Sequence, residues 1–251
     1  MAILGSARQL LRFNVAGRDE WVASVAAEVA ANSRVLDVGA GTAPYRGLFA
    51  HCEYKTHDFG QEPSTVGRYA PLDFVSDINA IPTPDASFDV IVCTEVLEHV
   101  PDPAQSVAEM SRILRPGGTL LLSAPLASFL HQQPFHFYGG FTPYWYRHFL
   151  SACGLEVQSI EPNHGFFSLF AQESQRFSAC LDPRRTWRLS FWRWTLLTVL
   201  WGLTLPLMRI VLPIIAASLD KLELESTATV GYHIVARKPV QSQCTTVKRA
   251  A

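Results

Sequence analysis

The chain has 251 residues, a formal net charge of −1 and 48% apolar residues, which suits one large α/β domain or a domain carrying an insertion. An isoelectric point near 6.7 argues against a nucleic-acid binder held by phosphate contacts. The five cysteines, at 52, 93, 153, 180 and 244, never pair as Cys-x-x-Cys, so no metal site is expected and a reducing compartment is.

Met1 to Leu11 holds a short apolar stretch with Arg8 and Arg12 after it, without the continuous core or cleavage site of a secretory signal. Residues 18 to 32 place apolar side chains at 22, 25, 26, 29 and 30, the spacing of one helix face. Asp19 and Glu20 suit its first turn and Asn32 its end. Val35-Leu36-Asp37-Val38 then reads as a buried parallel strand that runs into Gly39 and Gly41. Two glycines one residue apart predict a turn where backbone approaches a ligand closely, because neither carries a Cβ. A helix over Pro44 to Ala50 is expected next, its N-terminus facing that ligand.

Glu53 to His57 reads as a second strand ending at Asp58, 21 residues after Asp37. That is close to the spacing of a ribose-binding acid in a nucleotide-binding βαβ unit; a solvated loop carboxylate is the plainer alternative. Asp73 to Ile78 is a short third strand that includes Asp77, and Phe88 to Cys93, β-branched and apolar, a central fourth. Residues 103 to 114 form an amphipathic helix stopped by Arg115-Pro116-Gly117-Gly118, and Thr119 to Ala124 is the fifth strand. Thr142 is the N-cap of a helix over 143–152 with Pro143 first. Strands alternating with helices imply a doubly wound, Rossmann-like sheet with ligands at the carboxyl ends of its strands.

Three stretches, VLDVGAGTAPY at 35–45, FDVIVCTEVLEHVPDP at 88–103 and LRPGGTLLLSAP at 114–125, together resemble the class I S-adenosylmethionine-dependent methyltransferases of the small-molecule type 11 branch. The resemblance covers about residues 18–175 and 227–239. It implies a seven-stranded sheet with the last strand antiparallel, Leu155 to Ile160 as the sixth strand and Thr229 to Ala236 as the seventh. It further implies that Asp37 holds the methionine amino group of the cofactor, directly or through water, while Gly39 and Gly41 let backbone lie against it. Asp58 would take the ribose hydroxyls, Asp77 with the backbone of Ile78 the adenine, and Glu95 the methionine end. Alanine at 43, where the family often has a third glycine, is a tolerable departure, and it counts with EVLEHVPDP against a dehydrogenase. A sulfonium cofactor is already activated, so few catalytic groups are needed. A hydroxyl acceptor calls for a base, and histidine is the usual choice. The candidates are His99, more simply read as packing against and capping the helix after strand four, His131, and His136 in an aromatic, glycine-containing loop that could equally be a lid excluding water.

The family pattern needs only a short connection between strands six and seven. This chain inserts residues 176–224, dividing the methyltransferase domain into 1–175 and 225–251. Arg184-Arg185-Thr186-Trp187-Arg188 and Phe191-Trp192-Arg193-Trp194 precede an apolar run from Thr195 to Leu219 with one charge, Arg209, and prolines at 206 and 213. Strand seven must return to the sheet, and a hairpin broken near Pro206 has arms too short for a bilayer of about 30 Å. A paired or interfacial helical anchor satisfies both constraints, with Trp and Arg at headgroup level over 184–219. A subdomain buried on the core or in a homodimer is the alternative. The expectation is a cytoplasmic enzyme at the inner face of the cell membrane, acting on a small-molecule or lipid-linked acceptor such as a cell-envelope glycan intermediate or a quinone-like lipid. A soluble dimer acting on a metabolite, and an inactive cofactor-binding scaffold, are the competing expectations.

Overall fold

The computed structural model describes residues 13–62, 65–222 and 228–240; Met1 to Leu11 and Cys244 lie outside them. Strands β1 (Arg34–Val38), β2 (Glu53–Asp58), β3 (Phe74–Val75), β4 (Phe88–Thr94), β5 (Leu114–Pro125), β6 (Glu156–Pro162) and β7 (Gly231–Arg237) form one sheet in the order β3-β2-β1-β4-β5-β7-β6. The first five pair in parallel, and β7 lies antiparallel between β5 and β6, with Leu122 opposite Ile234 and Ile160 opposite Ile234 on its other side. The expected α/β sheet with an antiparallel last strand is therefore present.

Both faces of the central strands are apolar, as a sheet covered on two sides requires. Leu36, Ile91 and Leu122 face one side, against Met110 and Ile113 of helix α2 (Pro103–Ile113) and Tyr146 and Leu150 of α3 (Pro143–Ala152). Val35, Val92 and Leu121 face the other, against Trp21, Val22 and Ala26 of α1 (Phe13–Ala27) and against Phe49. Asp102 and Thr142 cap α2 and α3 by accepting from the backbone of Gln105 and Trp145.

Four local expectations need correction. Helix α1 ends at Ala27 rather than Asn32, because Asn32 turns at φ 63° and gives its N–H to the His51 carbonyl. Pro44 to Ala50 is a chain of turns, not a helix. Ala43 is a third left-handed residue after Gly39 and Gly41, the bonds from Arg46 to Ala43 and from Leu48 to Tyr45 close three-residue steps, and buried Tyr45 and Phe49 fix the path. Only Phe74 and Val75 of the third strand pair, since the Asp73 carboxylate takes the Thr56 N–H. The chain also does not break at Pro206: α6 (Phe191–Pro206) passes through a π-helical turn at Leu207–Val211 into α7 (Leu212–Leu219). The π turn lies after Pro206 and just ahead of Pro213, whose missing N–H cannot close onto the Arg209 carbonyl inside that turn.

Helix α4 (Phe166–Cys180) runs unbroken across residue 176, so the helical excursion starts at Phe166, and the one-turn α5 (Pro183–Thr186) follows it. Helix α4 packs antiparallel on the α6–α7 run, Ala171 meeting Ala216 and the Ser174 hydroxyl donating to the Met208 carbonyl at 2.9 Å. At the root, the Asp220 carboxylate accepts from the Gly165 and Ser168 N–H groups and the Ser168 hydroxyl. The outer face is bare: Trp192, Leu196 and Leu203 are 80%, 68% and 73% exposed.

His233 on β7 stacks on Trp21 with ring centres 4.7 Å apart. Burial first, then the Arg18 charge, pushes its imidazole down to about 4. A depressed histidine favours the fold at pH above its unfolded value and loses that advantage as pH falls towards 4. Relative to His233→Phe, which keeps the stack, the wild-type unfolding free energy should drop by about 3 kcal/mol between pH 6.5 and 4 in denaturant titrations. Parallel pH curves for the two proteins would contradict this.

Candidate active site

Strand order reverses between β1 and β4, and such a switch point opens a crevice at the carboxyl ends of the strands. A cavity of about 530 Å³ lies there, lined by Gly39, Gly41, Asp58, Asp77, Ile78 and Glu95, and by His57, Tyr69 and Phe135. Gly39 stands at φ 74°, and a Cβ there would lie 2.3 Å from Val96 Cγ2; Gly41, at φ 52°, faces open space. The turn therefore demands glycine at 39 for packing, while at 41 it leaves room beside the backbone.

The Asp58 carboxylate accepts from the Gly41 and Gly60 N–H groups, both at 3.0 Å. Asp77 is exposed and accepts from Asn79 N–H, with buried Ile78 beside it. Asp37 does not line the cavity. It is buried at the end of β1, takes the Tyr54 hydroxyl and is pushed up to about 6 by burial. Glu95 lies at φ 54°, a conformation costing about 1–2 kcal/mol, and its carboxylate accepts from Ser123. Strain of this kind concentrates where function fixes the backbone.

A second cavity, about 570 Å³, shares Glu95, His99 and Gln132 with the first and adds Arg18, Ser128, His131 and, from α4, Gln172 and Arg176. The fold gathers the three candidate histidines here, with ring centres 4.6–5.8 Å apart. His99 lines both cavities, whereas His136 stands behind it, bonded to the Ser128 hydroxyl and lining neither. The Phe135 carbonyl can only accept, so His99 Nδ1 carries the hydrogen and Nε2 keeps its lone pair. Burial lowers the His99 imidazole, and the neighbouring rings lower it further. Next to it, Glu98 is 1% exposed. Burial, then the Glu95 carboxylate, drives it well above the usual carboxylate range.

Ligand atoms of Glu98, His99 and His131 lie within 4.8 Å of one another, a donor set that a divalent ion accepts. Sequence spacing held no such pattern, because the fold brings His131 back across an aromatic loop. The loop is tied down by Phe137 and Tyr138 N–H groups donating to the Glu98 carbonyl. Arg18, His57 and Glu98 were not singled out from the sequence: Arg18 reads as the start of an ordinary helix, and only tertiary placement carries its side chain to the second cavity.

Residues 36–122 match the family model described as a methyltransferase domain. A probable S-adenosylmethionine-dependent methyltransferase of Mycolicibacterium smegmatis is 36% identical over 113 residues, 43% of this chain and 44% of that one. A ubiquinone biosynthesis O-methyltransferase of Aeromonas salmonicida is 34% identical over 101 residues, 36% and 42% of the two chains. The matches thus span less than half the length of these curated relatives. A crystal structure of a protein described as a sarcosine dimethylglycine methyltransferase from Galdieria sulphuraria superposes with a TM-score of 0.55 at 16% identity, over 88% of this chain and 85% of that one; at that identity the likeness concerns the fold alone. Residues 36–122 thus carry the sequence pattern of a methyltransferase domain, on a sheet with the fold of that solved methyltransferase structure.

Proposed function

We propose that the protein transfers the methyl group of S-adenosylmethionine to a hydroxyl-bearing small-molecule or lipid-linked acceptor, at the cytoplasmic face of a membrane. The observation that carries the reading is the meeting of two cavities at Glu95 and His99. One is built for a nucleoside: Gly41 leaves its Cβ space open, and Asp58, an acceptor on both oxygens, retains lone pairs for a ribose diol beyond its two backbone bonds. Asp77 and the Ile78 backbone take the adenine, and Gly39, Gly41 and Glu95 flank the methionine end. Asp37 acts from behind the lining, through water.

The cofactor supplies a methyl already activated as a sulfonium. What remains for the protein is to align the acceptor and remove its proton. His99 Nε2 is the base: the acceptor oxygen gains the methyl as its hydrogen passes to the imidazole. His136 positions this cluster and does not itself meet the acceptor. The apolar face of the α4–α6–α7 pair supports membrane attachment. Large apolar side chains stand exposed along it, among them Trp192, Leu196, Leu203, Ile210 and Ile214, and apolar surface of this kind marks a membrane or protein contact; the Aeromonas relative, a ubiquinone biosynthesis O-methyltransferase, supports an oxygen acceptor of the quinone-like lipid class. In this reading 1–175 and 225–251 are the methyltransferase part and 176–224 is the anchor, which continues the helix that begins at Phe166.

Asp58→Ala should weaken S-adenosylmethionine binding about 30- to 100-fold in calorimetry, the loss of charged hydrogen bonds worth about 2–3 kcal/mol. Its thermal unfolding should still be cooperative, and unchanged affinity would remove Asp58 from the site. His99→Gln should lower methyl transfer from labelled cofactor to a membrane extract by about 10²- to 10⁴-fold while cofactor affinity holds. Because burial depresses His99, the wild-type acid limb should fall below the ordinary imidazole value of about 6.5. Full turnover in His99→Gln would eliminate it as base.

A further inference from the structure

Between α4 and the α6–α7 run lies a third cavity, of about 1280 Å³, away from the cofactor and not used by the chemistry above. Its polar lining is donor-rich. Arg176, Arg184 and Arg209 lie on it, as do Gln175 and Trp201. Arg176 is paired with Glu173, and Arg184 with Asp182. Arg209 has no ion pair among the described residues. Gln175 Nε2 and Trp201 Nε1 are buried and lack any acceptor. Two buried N–H donors left without partners are costly, and native proteins rarely keep them without a reason. Arg209, exposed and without a carboxylate partner among the described residues, lines the same groove, and an anion with several acceptor oxygens is the ligand that fits all three donors.

The rest of the wall is apolar, with Leu205, Pro206 and Ile210, and it continues into the exposed face at Leu203 and Leu207. A ligand matching both halves has a phosphate-type head and a hydrocarbon chain. Gln172 and Arg176 line this groove and the second cavity alike, so the head of such a ligand lies on the way to His99.

We propose that this groove binds the phosphate of an amphiphilic, lipid-class ligand, with Arg209, Trp201 and Gln175 as its donors. This deepens the membrane-held reading above and rests on it for the claim that the ligand is the acceptor's carrier. The chain lies along the apolar wall and the phosphate sits between the two helices. The group to be methylated extends past Arg176 towards Glu95 and His99.

The test is calorimetry of the full chain in solution with dihexanoyl phosphatidic acid, dihexanoylglycerol and inorganic phosphate. Phosphatidic acid should bind once per chain, with dihexanoylglycerol and inorganic phosphate each at least about tenfold weaker. Arg209→Gln and Trp201→Phe should each cost about tenfold or more. Arg193→Gln, on α6 but outside the groove, should stay within about twofold. Equal binding of inorganic phosphate would overturn the amphiphile, and equal binding of dihexanoylglycerol, which has the chains without the phosphate, would overturn the phosphate. Wild-type affinity in both groove variants would overturn the site. Circular dichroism and cooperative thermal unfolding, measured on the same samples, check that each variant is folded. Because no vesicle or turnover enters the measurement, its failure leaves the methyltransferase reading standing, and failure of that reading does not alter this result.

Discussion

Strand β7 lies between β5 and β6, and that pairing constrains everything the chain does between residues 163 and 230. Two neighbours in one sheet cannot have a bilayer between them. The segment that joins them must leave and come back on the same side, and a pair of antiparallel helices is the short way to do it. Within the α6–α7 run, the 26 residues from Phe191 to Ala216 span about 39 Å, enough to cross a membrane by themselves. Its partner α4 has 15 residues, about 22 Å, and cannot. The pair therefore suits lying in or against one leaflet, with its root pinned by Asp220 to the backbone of Gly165 and Ser168.

The same constraint sets where the site lies relative to that pair. Parallel strands end at one edge, so Gly39, Asp58 and Glu95, each just beyond or at the end of its strand, converge there. Helix α4 leaves the sheet after β6 and supplies Gln172 and Arg176 to the wall of the second cavity. One element is thus shared by the apolar surface and the acceptor side of the site. An acceptor with a lipid tail could keep the tail on the helices while its polar end reaches His99, without leaving the surface for water.

Much of this architecture is legible in the sequence for a physical reason. Val35 to Val38 and Phe88 to Cys93 are apolar on both faces, which only a doubly covered strand tolerates. The glycines at 39 and 41 need positive φ, and the Asp37–Asp58 spacing follows from the length of a crossover between two parallel neighbouring strands. What is not legible depends on distant partners. The turns at 44–50 follow from Tyr45 and Phe49 packing beneath the sheet, and the helix that continues past Pro206 is held by α4, which no local propensity reports. The histidine cluster joins residues 99, 131 and 136 through a loop anchored on the Glu98 carbonyl. Sequence supplies the candidates there, and only the fold ranks them, placing His99 on both cavities and His136 on neither.

The central claim is that the exposed face of the helix pair holds the site against a lipid surface, and vesicle flotation reads it directly. The comparison is between the intact chain and a variant with Trp192, Leu196 and Leu203 all changed to serine; these side chains point outward, so the packing of α4 on α6 and α7 is untouched. The account predicts that the intact protein floats with vesicles and that the variant stays at the bottom of the gradient while binding S-adenosylmethionine normally. Equal flotation of the two, or an intact protein that stays down and runs as a dimer which the variant loses, would contradict it and make the same face an interface between two copies of the chain.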